Sequence, residues 1–254
     1  AARALARVSS LDSQLIQKVL SDSDAGVRAM LLTGLVGRRG DTLVPLVAPL
    51  LGSDPWPMVR LAAAEVVAGA CQVGSPAVPV LERALLDADE AVASLSLSGL
   101  ARCLGKSGLP RYQSLLTDGK SPPTVRGQAC VLVARHGLAD PQTASSARQA
   151  VGEGLSDLID DPQAADRSLV AAVLCLRAVG EHGDGRDLGL LLSRLDKEAP
   201  LALRRGAVES VLKICQRQRS PLGKDDRQGL LELLRLAAEP SDSLLHGLHP
   251  KLKA

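Results

Sequence analysis

Aromatic side chains are nearly missing from this sequence, which has one Trp, one Tyr and no Phe among 254 residues. A thick globular core is normally filled by such rings, so a thin core of Leu, Val and Ala between helical layers is the expectation. The same shortage removes the usual stacking platforms for bases or sugars. Long apolar runs are missing too. The longest, Leu169 to Leu176, is bracketed by Arg167 and Arg177 and falls far short of the roughly 20 residues that cross a bilayer, so no membrane span is expected. Neither charge sign dominates, with 30 basic and 28 acidic residues giving a net +2, which provides no global field for nucleic acid or anionic lipid. The cysteines number five and contain no CxxC pair. An odd number excludes complete pairing, so a reducing, cytoplasmic location is the expectation. GxSxG is absent, and the Gly-rich stretch Gly180 to Asp187 lacks the Lys-Ser/Thr ending of a phosphate-binding loop.

What the sequence does contain is a period. Val27-Arg28 is followed by Leu31 and Leu35, Val59-Arg60 by Ala63, Val66 and Val67, and Val125-Arg126 by Ala129, Leu132 and Val133. Val92 leads to Ser96 and Leu100, Leu169 to Val173 and Leu176, and Leu203-Arg204 to Ala207 and Val211. Offsets of three or four residues mark one face of a helix. The intervals between these anchors are 32, 33, 33, 44 and 34 residues. A shorter Leu-rich helix precedes most of them, with Pro45, Pro79 or Pro110 in its first turn, where a missing N–H costs little. Pro49 falls inside its helix and is expected to kink or shorten it. The turns carry Asp22-Ser23-Asp24, Ser53-Asp54-Pro55 and Asp87-Ala88-Asp89, which offer cap oxygens to the next helix.

A single helix pair cannot bury its apolar face, whereas stacked pairs bury a continuous ribbon. The expected fold is therefore all-α: a right-handed α-solenoid of about six helix pairs, one domain over 1–254. The repeats fall near 11–40, 41–74, 75–107, 108–138, 139–183 and 184–219, with a terminal cap at 220–254. Ala1 at the first position, and the stretch Arg3 to Val8 reading as the end of a second helix, give the expectation of a piece of a longer array or of a worn terminal cap. The 44-residue interval from Val125 to Leu169 predicts a longer first helix or a loop around Leu138 to Ser156.

The segments VPLVAPLLGSDPWPMVRLAAAEVV and AVPVLERALLDADEAVASLSLSGL resemble HEAT repeats, of the short kind found in phycobilisome-lyase-type proteins. The resemblance runs from about Leu11 to about Leu236. It implies that the second helices line the concave side. It also implies that the Val-Arg arginines Arg28, Arg60, Arg126 and Arg204 reach acidic turns of neighbouring repeats, with Asp22, Asp24, Asp54 and Asp118 as the partners. The third repeat has Ala93 where Arg is expected, which would leave Asp87, Asp89 and Glu90 for another use.

Other residues invite chemistry but have plainer readings. Cys71, Cys103 and Cys215 sit at matching places in their repeats, one per repeat, and read as small buried hydrophobes. His136 and His182 each stand alone near helix ends, and His246 and His249 form an HxxH in the tail without a third ligand. The basic residues from Arg204 to Arg227 are diluted by acids and read as solvated surface. No catalytic, cofactor or metal-binding set is expected. Small apolar residues flank the buried stripe five and nine positions after each anchor. Either the helices pack on both sides there, or a groove opens that suits a helix or an extended peptide. The expected partner-facing residues are Leu32, Leu61, Leu97 and Val131, with Trp56 held between two prolines at a helix start. The expectation for function is a non-catalytic scaffold for a protein or peptide partner. The alternatives are a bilin-lyase-like chromophore handler and a HEAT-type nucleic-acid binder.

Overall fold

The computed structural model describes residues 13–37, 42–161, 165–192, 199–218 and Gln228. Every regular element among them is helical. The chain divides into two compact units, Ala1–Gly108 and Leu109–Ala254, and the division coincides with the edge between the third and fourth expected repeats.

The first unit holds three helix pairs: α1 (Ser13–Leu20) with α2 (Ala25–Leu35), α3 (Val44–Ser53) with α4 (Pro57–Ala70), and α5 (Ala77–Ala84) with α6 (Glu90–Leu104). α2 packs on α4 and α4 on α6, while α3 packs on α5 in the other layer. The anchors Val59 and Val92 and the following Leu31, Ala63, Val67 and Leu100 are all buried, as the helical spacing requires. Asp24 and Asp89 cap α2 and α6 by accepting from the backbone N–H groups two and three residues on. α3 continues through Pro49 to Ser53. α2 ends on Val36 and Gly37, the glycine at φ +83°, a left-handed position that glycine adopts without penalty.

The second unit repeats the scheme with α7 (Leu109–Thr117) and α8 (Pro123–Val133), α9 (Ala144–Ile159) and α10 (Ala165–His182), and α11 (Leu188–Leu192) and α12 (Leu201–Gln218). α8 packs on α10 and α10 on α12. The long interval is taken up by a π turn at Ala134–Leu138 and by α9, which at 16 residues is the longest of the first helices.

The expectation of unpaired cysteines does not hold. Cys71 is bonded to Cys103, joining the end of α4 to α6, and Cys130 to Cys175, joining α8 to α10; Cys215 is free. Packed helix axes lie about 8–10 Å apart, but facing Cα atoms stand inward of those axes by the ~2.3 Å helix radius on each side. Directly facing residues therefore come within about 3.5–5.5 Å, and the observed Cα separations are 5.5 and 5.3 Å. Small residues permit this approach. A Cβ added at Gly99 would stand 2.6 Å from the Ala68 Cβ, and one at Gly127 2.9 Å from the Ala171 Cβ.

Candidate functional site

Along the turn edge of the first unit, arginines and aspartates interlock in sequence. Arg28 donates through Nε and Nη2 to the Asp54 carboxylate at 2.8 and 3.0 Å, and through Nη1 to the Asp22 carbonyl at 2.7 Å. Arg60 repeats the pattern one pair later. It donates to the Asp87 carboxylate at 2.7 and 2.9 Å and to the Asp54 carbonyl at 2.9 Å. The paired side chains are at most 13% exposed, and the forked geometry makes each pair bidentate. The Asp54 hydrogen bonds hold the Arg28 guanidinium above its ordinary value against the opposing effect of burial. For Asp87, burial pushes the carboxyl up, but Arg60 and the Asp89 N–H outweigh it and set the group below the usual carboxylate range.

These contacts correct one expectation. Asp87 is not left over by the missing arginine at Ala93, because each arginine reaches forward, to the turn of the following repeat. In the second unit the Asp118 carboxylate accepts from the Lys120 N–H and the Ser121 hydroxyl. Arg126 is buried there and donates to the Leu116 carbonyl at 3.1 Å and to Asp157 at 3.4 Å. Arg204 begins α12, and the turn it would reach lies outside the described residues.

Several large apolar side chains of the first unit are exposed, Val73 and Leu86 most of all and Trp56, Met30 and Met58 with them. The Trp56 N–H donates to Asp54 Oδ1 at 3.0 Å, so the same carboxylate that receives Arg28 fixes the backbone that carries the indole. The ring is 56% exposed, and Met30 and Met58 are 51% and 52% exposed. Trp56 lines a groove of about 460 Å³ with Asp22, Ser23 and Pro49, and Met30 and Met58 line a separate one of about 320 Å³ with Ala29 and Thr33. These three residues are the whole complement of Trp and Met in the chain. The other aromatic, Tyr112, is fully buried. A larger groove of about 620 Å³ between α3 and α5 is lined by Pro45, Pro49, Val80 and Leu86, without a Trp or Met side chain.

Leu32 and Leu97, expected to face a partner, are fully buried. Ala64, Cys130 and Val208 at the matching positions are buried as well, whereas Leu174 at the same offset and Val36 at the offset of nine are exposed, so the stripe is wide mainly because second helices pack on both of its sides. Leu61 and Val131 are half-buried.

Two features of the second unit had no signal in the sequence. Arg148 on α9 donates to the fully buried Asp187 at 2.6 Å and to Asp184 at 3.3 Å, tying α9 to the turn before α11. His136 and His182, read as solitary, are close enough to influence one another. Burial first, then Arg135, lowers the His182 value, with a smaller contribution from His136. His246 and His249 lie outside the described residues.

A protein whose paired helices stack in two layers, with successive pairs pinned by Arg28, Arg60 and Arg126, is a helical-repeat protein. The family model of HEAT repeats matches residues 13–101, and that stretch is an array of HEAT repeats. The match is to HEAT repeats at large and does not extend to the phycobilisome-lyase kind. No curated protein matches the sequence. Among solved structures, human deoxyhypusine hydroxylase in complex with glycerol is similar at 16% identity over 94% of this chain and 82% of that chain. The TM-score is 0.38, too loose a likeness to bear on function. No described helix is long and apolar enough to cross a membrane.

Proposed function

We propose that the chain is a protein-interaction scaffold and that the Trp56, Met58 and Met30 surface of its first unit holds the partner. One observation carries the reading: the single Trp and both Met residues of the chain fall within the first two helix pairs, each more than half exposed, with Met58 two residues after Trp56 and sharing a groove with Met30. Trp is over-represented at interaction hot spots, and the flexible, polarisable Met side chain suits adaptable binding surfaces. The prolines flanking Trp56 and its N–H bond to Asp54 order its backbone before binding, which lowers the entropic cost of association. The helices beneath provide the rigid platform.

Affinity purification of the full chain from its native cells tests this reading. The comparison is with a Met30→Ser, Trp56→Ser, Met58→Ser variant of matched melting temperature. Each residue is exposed, so the fold should survive the changes. A protein recovered with the parent and lost from the variant supports the assignment. Equal recovery with both removes this surface from the function.

A further inference from the structure

We propose that the occupant of this surface is a basic peptide segment of a protein partner, its Lys or Arg heads meeting Asp22, Asp24 and Asp89 while its apolar side chains lie on Trp56 and Met58. The inference rests on the interaction reading above and adds the chemistry of the partner.

The charge of the edge carries it. Asp22, Asp24, Asp54, Asp87, Asp89 and Glu90 follow one another along the turns of the first unit, against Arg28, Arg60 and Arg83, the last lining a groove with Asp87. The Arg28 and Arg60 guanidiniums are committed, to Asp54 and Asp87. Asp22, Asp24 and Asp89 each use Oδ1 to accept from backbone N–H groups, and their Oδ2 atoms receive no hydrogen bond from the described residues. An edge in a chain of net charge +2 is thus locally and strongly negative, which repels nucleic acid and anionic lipid and attracts cations. No group of three or more His, Cys, Asp or Glu among the described residues could hold a metal ion, so the carboxylates are spread out and not gathered around one point. Spread charges suit an extended chain with spaced cations. Asp24 and Asp89 cap second helices two repeats apart, roughly 16–20 Å at normal helix packing, which about six extended residues span. The Trp56 indole shares its groove with Asp22 and Ser23 and with Arg28, whose charge is matched by Asp54, so a cation there meets the Asp22 carboxylate and an aromatic face together.

The sole Trp makes the test direct. The full chain is titrated with a short peptide of alternating Lys and Leu, following Trp56 emission, and with its Gln-for-Lys counterpart. The same titrations use an Asp22→Asn, Asp24→Asn, Asp89→Asn variant. Asn caps helices about as well as Asp, so the charge goes while the caps stay. The expected result is a saturable emission change with the Lys peptide, weakened about ten-fold or more both by the variant and by raising salt to about 0.5 M. Equal binding of the Gln peptide, or equal affinity of the variant, overturns the basic-partner inference and leaves the interaction reading standing. An emission unmoved by either peptide overturns it as well. If the triple variant loses its helical signal, Asp22→Asn alone, which caps no helix, decides by the same sign of change.

Discussion

Removing the Arg60 guanidinium strands the Asp87 carboxylate, which is 8% exposed and keeps only the Asp89 N–H as a donor among the described residues. Charge-assisted bonds of this kind are worth about 1.5–3 kcal/mol, and a stranded buried charge adds to that. Arg60→Ala is therefore expected to destabilise the protein by about 2–4 kcal/mol, while exposed Arg102→Ala stays within about 0.5 kcal/mol; urea denaturation of the two variants compares them. His182 gives a pH effect of known sign. Its folded value lies below the ordinary His value because burial disfavours the imidazolium. As pH falls below about 6.5 the unfolded chain takes up the proton first, so stability contributed by the neutral ring drops between that pH and the lowered folded value. His182→Gln should flatten the melting-temperature profile over that window, and an unchanged slope would count against the shift. At this scale the arginines were legible because a Val-Arg phrase recurs. Their reach was not, since nothing in a linear phrase says whether a side chain turns forward or back. Asp87 was misread for that reason.

The helix pairs were readable from the 3–4 spacing and the capping Asp residues, and the length of α9 from the one long interval. The closeness of the second helices was harder to see, because it depends on which small residues face each other across the stack. Gly99 is the clearest case. With a Cβ placed 2.6 Å from Ala68, Gly99→Ala should cost about 1–3 kcal/mol through overpacking, despite the better helix propensity of Ala. Gly52, in α3 with nothing within 4 Å, should gain up to about 1 kcal/mol from the same change. Thermal melts of the pair separate packing from propensity. The same close approach lets the disulfides form. They close stretches of 32 and 45 residues, and each is expected to contribute about 2–4 kcal/mol. Reductant should lower the melting temperature of the parent but leave a Cys71→Ser, Cys103→Ser, Cys130→Ser, Cys175→Ser variant unmoved. An equal response in both would mean the thiols are unpaired in solution.

At the scale of the molecule, the repeat class was legible because its signature is periodic, and residues 13–101 match HEAT repeats directly. The proposed interaction surface was only partly legible. Trp56 stood out through its flanking prolines, whereas Leu32 and Leu97 misled because a stripe of small apolar residues looks alike whether it lines a groove or a helix interface. Met30 and Met58 drew no notice in the sequence; only the stacking of α2 against α4 sets them beside one another. Their chemistry offers the most direct test of the central claim, since Trp and Met are the side chains most readily marked by mild oxidation among exposed groups. The measurement is the oxidation rate of Met30, Trp56 and Met58 by mass spectrometry, in the free chain and in the complex with its co-purified partner. The account predicts that all three oxidise readily in the free chain, as their exposure of 51–56% requires, and that all three are slowed together in the complex. Unchanged rates at these residues in a saturated complex would contradict it.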